Sequence, residues 1–219
     1  MAITPGGQSS APRELVPEGN HVARLYRIIA IGTIPTPYLD ENTGKPKEQS
    51  KVRLYFELPN EMREFDYDGE KKTLPMSISR EVTLSLYKGA AQTAVLRTIA
   101  HALIGQAITD DEAETFDIEQ LLGMACMVEV EHQRMDNGIE FAKAVGFGSI
   151  PKGMTVPEQV NENQVQNVRE MTKEEIEELP EWLRDKMKSS REYHVRFEAP
   201  REETKPGEED EVGPDGIPF

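Results

Sequence analysis

Lys51, Arg53 and Tyr55 alternate with Val52, Leu54, Phe56 and Leu58. In an extended strand, side chains at successive positions point to opposite faces. One face of this stretch is therefore apolar, and the other carries two cations beside an aromatic ring. That outer combination suits a nucleic-acid strand whose bases are exposed. A ring can stack on a base for about 1–3 kcal/mol while neighbouring cations follow the phosphates. Tyr55 is the best stacking candidate. Lys45 and Lys47 precede it in a polar loop, Asp40 to Ser50, that contains Gly44 and Pro46. Arg24 and Tyr26 share a parity on an earlier strand, and Lys143 sits on a later one. Tyr38, Lys71 and Lys72 carry the same chemistry in less regular surroundings. Phe56, Phe141 and Phe147 fall on apolar parities and read as packing residues, as do Tyr87 and Phe116.

The C-terminal end offers a different chemistry. It runs Glu208-Glu209-Asp210-Glu211-Val212-Gly213-Pro214-Asp215-Gly216-Ile217-Pro218-Phe219. Phe219 presents a ring and a free carboxylate on one residue, and Pro218 restricts the conformations lost on docking. A hydrophobic pocket with a basic rim would receive such an end, and the upstream acids would steer it there. The candidate partner-binding residues are Asp215, Ile217, Pro218 and Phe219.

Elements must place these residues. Residues 1–17 are rich in Gly, Pro and Ser and read as a loose arm. A long strand follows from His21 to Tyr38, bent near Gly32, and then the strand Lys51 to Leu58. After a charged hairpin-like stretch, Asp66 to Lys72, the residues Met76, Ile78, Val82, Leu84 and Leu86 share one parity. Lys88 to Ile104 reads as a helix closed by Gly105, with short helices near Asp111–Phe116 and Ile118–Leu122. Met127–Gln133 and Ile139–Phe147 read as a strand pair, because Asn137-Gly138 between them is a strong hairpin signal. Three strands, a helix and two more strands give a mainly β, α+β chain in the order of an OB-fold, the five-stranded barrel that binds oligonucleotides on one face. That domain is assigned to residues 18–152.

Residues 153–198 read as a linker with a short helical segment. Thr172 is a candidate N-cap, with Glu175 at the capping-box position, and Pro180 limits the helix. Trp182 lies in an apolar patch here, either packed on the barrel or acting as a second docking element. Residues 199–219 hold four prolines, three glycines, 7 acids and 2 bases, and read as a disordered acidic tail.

Tail and inferred barrel together resemble bacterial single-stranded DNA-binding proteins, particularly phage-encoded ones. Ile217, Pro218 and Phe219 match the family's terminal tip, and Asp215 stands for one of its acids, with Gly216 interposed. Pro17-Glu18-Gly19-Asn20-His21 and Lys51–Leu58 carry the likeness in the barrel. The resemblance implies sequence-independent binding and protection of single-stranded DNA during replication, recombination or repair. It also implies recruitment of replication, recombination or nuclease proteins by the tip, and self-association. Two rivals remain: a strand-annealing recombination mediator, and an acidic adaptor that occupies partner pockets without binding DNA.

Bulk properties narrow the classes. The net charge is -15, which argues against a nonspecific duplex binder with a broad basic face. From Met154 onward there are 9 Lys+Arg against 18 Asp+Glu, so more than half of the excess sits in the last third. No stretch approaches the roughly 20 apolar residues of a membrane span, and no signal-peptide pattern is seen, so the chain reads as cytoplasmic. The lone Cys126 lies in an apolar run and reads as a reduced, buried thiol. The four histidines are scattered, no phosphate-cradling glycine loop occurs, and the acid pairs Asp110-Asp111 and Asp66/Asp68 read as solvated loops. Neither enzyme chemistry, a metal nor a cofactor is expected.

Overall fold

Val52, Leu54, Phe56 and Leu58 are fully buried, as their alternation predicts. In the computed structural model, which describes residues 14–67 and 70–198, they form the inner face of β2 (Pro46–Tyr67), between β1 (Gly19–Leu39) and β3 (Glu70–Thr83). β4 (Ala125–Arg134) pairs with the first part of β1, and β5 (Glu140–Gly148) pairs with β4. All four pairings are antiparallel, in the order β3-β2-β1-β4-β5. The sheet curls until β3 meets β5. There Arg80 Nη1 donates to the Ala144 carbonyl at 3.2 Å, joining the two strands through a side chain. The result is an OB-like α+β half-barrel.

Its interior holds Leu25, Ile28, Phe56, Ile78, Val128 and Ala144, each large side chain contributing about 1.5–3 kcal/mol by leaving water. Phe56 and Phe147 pack with ring centroids 5.4 Å apart. Cys126 is buried in the same core, and that burial pushes its thiol up to about 12. The helix expected over Lys88–Ile104 begins later, as α1 (Val95–Ile104). Its first residues instead form a tight turn: Lys88 and Thr93 make an antiparallel bridge, and Ala94 N donates to the Tyr87 carbonyl at 2.8 Å. Leu96, Ile99, Ala100 and Leu103 then close the barrel. Gly105 ends the helix at φ 78°, its N–H bonded to the His101 carbonyl. Arg97 is buried on this helix, donating to the carbonyls of Leu86 (3.1 Å) and Ile108 (2.5 Å). Asp110, at the start of α2 (Asp110–Glu114), pairs with that guanidinium at 2.7 Å. A 3-10 turn at Ile118–Leu121 leads into β4.

The segment 153–198 is not an open connection. β6 (Gln164–Asn167) lies parallel to β1 over Arg27–Ala30. Then come α3 (Lys173–Glu177), α4 (Glu181–Lys188), α5 (Arg191–Tyr193) and a π turn at His194–Glu198. The Thr172–Glu175 capping box forms as its spacing predicts. Ile29, Ile31 and Ile34 from the outward face of β1 meet Ile176, Leu183 and Met187 in a second apolar core. β1 therefore has apolar residues on both faces, one set per core. Polar pins fix this layer to the barrel. Glu57, fully buried, accepts from the amides of Val160 (2.8 Å) and Asn161 (2.8 Å) and from Asn161 Nδ2 (2.6 Å). Of the expected N-terminal arm, Val16 is buried in the barrel core; residues 1–13 lie outside the described residues. So do 199–219, including Asp215, Ile217, Pro218 and Phe219. Among the described residues no helix is long and apolar enough to cross a membrane.

Candidate nucleic-acid interface

A groove of about 890 Å³ runs between β3, the β2–β3 arm, the β4–β5 hairpin and the segment Glu14–Val16. The arm exists because β2 and β3 stay paired past an irregularity between Leu58 and Met62, out to Tyr67 and Glu70. The hairpin turns at Gly138, with φ 84° and its N–H bonded to the Met135 carbonyl at 2.8 Å. Four cations line the groove: Arg53, Arg63, Arg80 and Lys143. Phe65, Phe141, Met76 and Ile139 lie among them, and so do the carboxylates Glu14, Glu81 and Glu140. Arg63 lies over the Phe65 ring at 5.6 Å and pairs with Glu14 at 3.2 Å. Lys143 Nζ donates to Gln133 Oε1 at 3.0 Å. Four cations against three carboxylates leave this surface slightly positive within a chain of net charge -15.

The residues singled out from the sequence part company here. Arg53 and Lys143 line the groove. Tyr55 follows Arg53 on the outward parity but is half-buried, with the guanidinium groups of Arg27 and Arg53 at 5.3 Å and 5.6 Å from its ring, and it packs against the second core. Lys51 spans β2 and β3, donating to Gln49 (2.8 Å) and Thr83 (2.9 Å). Arg24 is a clamp. Its Nε donates to the Pro157 carbonyl and its Nη1 to the Gly123 carbonyl, both at 2.7 Å. Tyr26 falls at the register shift between Leu25 and Arg27. Burial raises its hydroxyl above the ordinary tyrosine range, against a hydrogen bond with Ser77. Lys45 and Lys47 are exposed at the β1–β2 turn, lining a separate pocket of about 630 Å³ with Asp40, Thr43 and Glu48. Tyr38 is exposed, and Lys71 and Lys72 pair with Glu64 and Glu70.

Four groove residues escaped the sequence reading. Arg80 shares the parity of Met76, Ile78 and Val82, and a charge on an apolar parity was the available signal. Phe141, expected to be packed, is only partly buried and faces the groove. Arg63 and Phe65 fall on an arm that the sequence marks only as an approach to a turn. At the far end, Arg53 lies over the Trp182 ring at 4.3 Å. It also donates to Ser79 Oγ at 2.7 Å and faces Glu81 at 3.7 Å. Among the described residues, no three His, Cys, Asp or Glu side chains come together as a metal site. No protein-family model matches the chain, and neither does any curated protein compared with it.

Proposed function

We propose that this protein binds single-stranded DNA without sequence preference in the groove of its OB-like barrel. The observation carrying this reading is the interleaving of Arg53, Arg63, Arg80 and Lys143 with Phe65 and Phe141 along one cleft. Aromatic faces accept any base, and spaced cations hold the connecting phosphates. Four cations are too few for a duplex binder, which needs a broad basic face. In this reading the protein shields single strands during replication, recombination or repair. Asp215, Ile217, Pro218 and Phe219 then bring partner proteins to the covered strand.

One observation favours a second reading. Three carboxylates in the groove and a net charge of -15 suit an acidic adaptor that engages basic partners and no DNA. The two separate on titrating a labelled oligo(dT) and a duplex of equal length by fluorescence anisotropy. The DNA reading expects single-strand affinity at least tenfold above duplex affinity. Equal affinities, or no binding, overturn it in favour of the adaptor.

A further inference from the structure

We infer that Trp182 is a stacking platform which carries the single-strand path off the barrel and onto α4. The inference rests on the DNA-binding reading of the groove and deepens it, by adding a residue from the second layer to the site. Trp182 is the chain's only tryptophan, and 48% of its surface is exposed. Its neighbours on α4, Leu183 and Met187, are fully buried in the second core. Trp182 belongs to neither apolar core. Tryptophans are seldom fully buried but are highly buried on average, and at 48% exposed this one is well above that, at the edge where two layers meet.

What it meets there is the groove. Its ring lies under the Arg53 guanidinium at 4.3 Å. Lys186, one helical turn further on the same side of α4, bonds Glu81 at 2.5 Å. Arg53 and Glu81 both line the groove, so Trp182 and Lys186 reach its edge from the helical side through these two partners. A guanidinium over an indole is an attractive pair worth about 0.5–1 kcal/mol when exposed. It covers one face of the indole, so a base would stack on the other, with the guanidinium a ring's thickness away from the phosphate attached to that base. Arg53 faces Glu81 at only 3.7 Å, a loose pairing that an incoming phosphate can replace. Ring, guanidinium and Lys186 ammonium together offer one nucleotide both of its contacts.

Because no second tryptophan contributes, the emission of the full-length chain reports this ring alone. Oligo(dT) at saturation is expected to protect Trp182 from acrylamide quenching. Trp182→Ala is expected to weaken oligo(dT) binding, by anisotropy, roughly 5- to 150-fold, which is about 1–3 kcal/mol at 1.4 kcal/mol per tenfold. Trp182→Phe should recover most of that loss, and circular dichroism should show each variant folded. Wild-type binding with unchanged acrylamide access, or Trp182→Ala binding as tightly as wild type, overturns the role of Trp182 and leaves the groove standing. Failure of the wild-type chain to bind oligo(dT) at all removes the groove reading, and this inference with it. If Trp182→Ala does not fold, the acrylamide measurement on the wild-type chain decides alone.

Discussion

Glu192 accepts from the Thr33 amide at 2.6 Å and the Thr33 hydroxyl at 2.9 Å, and it pairs with Arg169 at 3.1 Å. Burial raises its carboxyl, but these donors together outweigh that and hold it down at about 2. Its folded-state value therefore lies below the ordinary value of 4.5. The linkage sign follows: its stabilisation is complete above about pH 5 and is lost as pH falls through about 2. The ceiling is about 3 kcal/mol, reduced because Arg169 is largely exposed and screened. Replacing Glu192 with Gln is expected to lower the urea midpoint near neutral pH and to flatten its fall between about pH 5 and 2. Other carboxylates, including Asp40 and Glu175, are also held low, so the comparison with wild type is the informative quantity. Parallel curves for the two proteins would mean that the Thr33–Glu192 contact does not hold the layers together. Arg24, Glu57 and Glu192 share one lesson: each is a polar residue on barrel or second layer that serves the junction between them.

That junction runs along β1 and sets the demand on Gly32. Its φ is 104°, and a Cβ built there would lie 2.8 Å from Ser190 Cβ and 2.9 Å from Glu192 Oε2. Gly44 also has positive φ, 65°, but nothing lies within 4 Å of its Cβ position. Gly44→Ala should therefore cost only the backbone strain, about 1 kcal/mol, whereas Gly32→Ala should also push α5 away and cost about 2–4 kcal/mol. At roughly 2–4 °C per kcal/mol for a chain of this size, the melting temperatures should differ by several degrees. Equal shifts would show that α5 does not seat on β1. The sequence singled out Gly32, where the register of β1 against β2 shifts, but not the cause of its conformation, because the contact joins residues 158 positions apart. Alternation found the inner face of β2 outright, and Asn137-Gly138 located the hairpin. β6 stayed hidden, since Gln164-Val165-Gln166-Asn167, with a single apolar residue pairing parallel to β1, leaves no period to read. Outward parity correctly took Tyr55 and Arg53 off the barrel core. It could not say what they would meet, and for Tyr55 that is partly a second core.

Charge is distributed at the scale of the whole molecule, and it yields a sharp expectation. For single strands, the logarithm of affinity falls against the logarithm of salt concentration with a slope of about -0.7 per phosphate neutralised. If the path follows the groove, Arg53, Arg63, Arg80 and Lys143 set the count on the barrel, and Lys186 adds one on α4. The slope should then lie near -3 and be no steeper than about -3.5. Lys45 and Lys47 offer an alternative path, since the β1–β2 turn is where an OB-fold commonly clamps its ligand. In this chain they border a different pocket. Lys45→Ala with Lys47→Ala should accordingly leave the slope unchanged, while Lys143→Gln alone should make it shallower by about 0.7. The reverse pattern would move the path from the groove to the turn. A slope that low would also give the surrounding negative charge a role. Duplexes and other polyanions, which gain little from stacking, meet a molecule of net charge -15 with only a narrow neutralised channel. On the proposed path, a flexible single strand would place bases on Phe65, Phe141 and Trp182 and so gain from contacts that salt does not screen. Preference for single strands would then come from stacking, and it should persist at salt concentrations where the electrostatic share has faded.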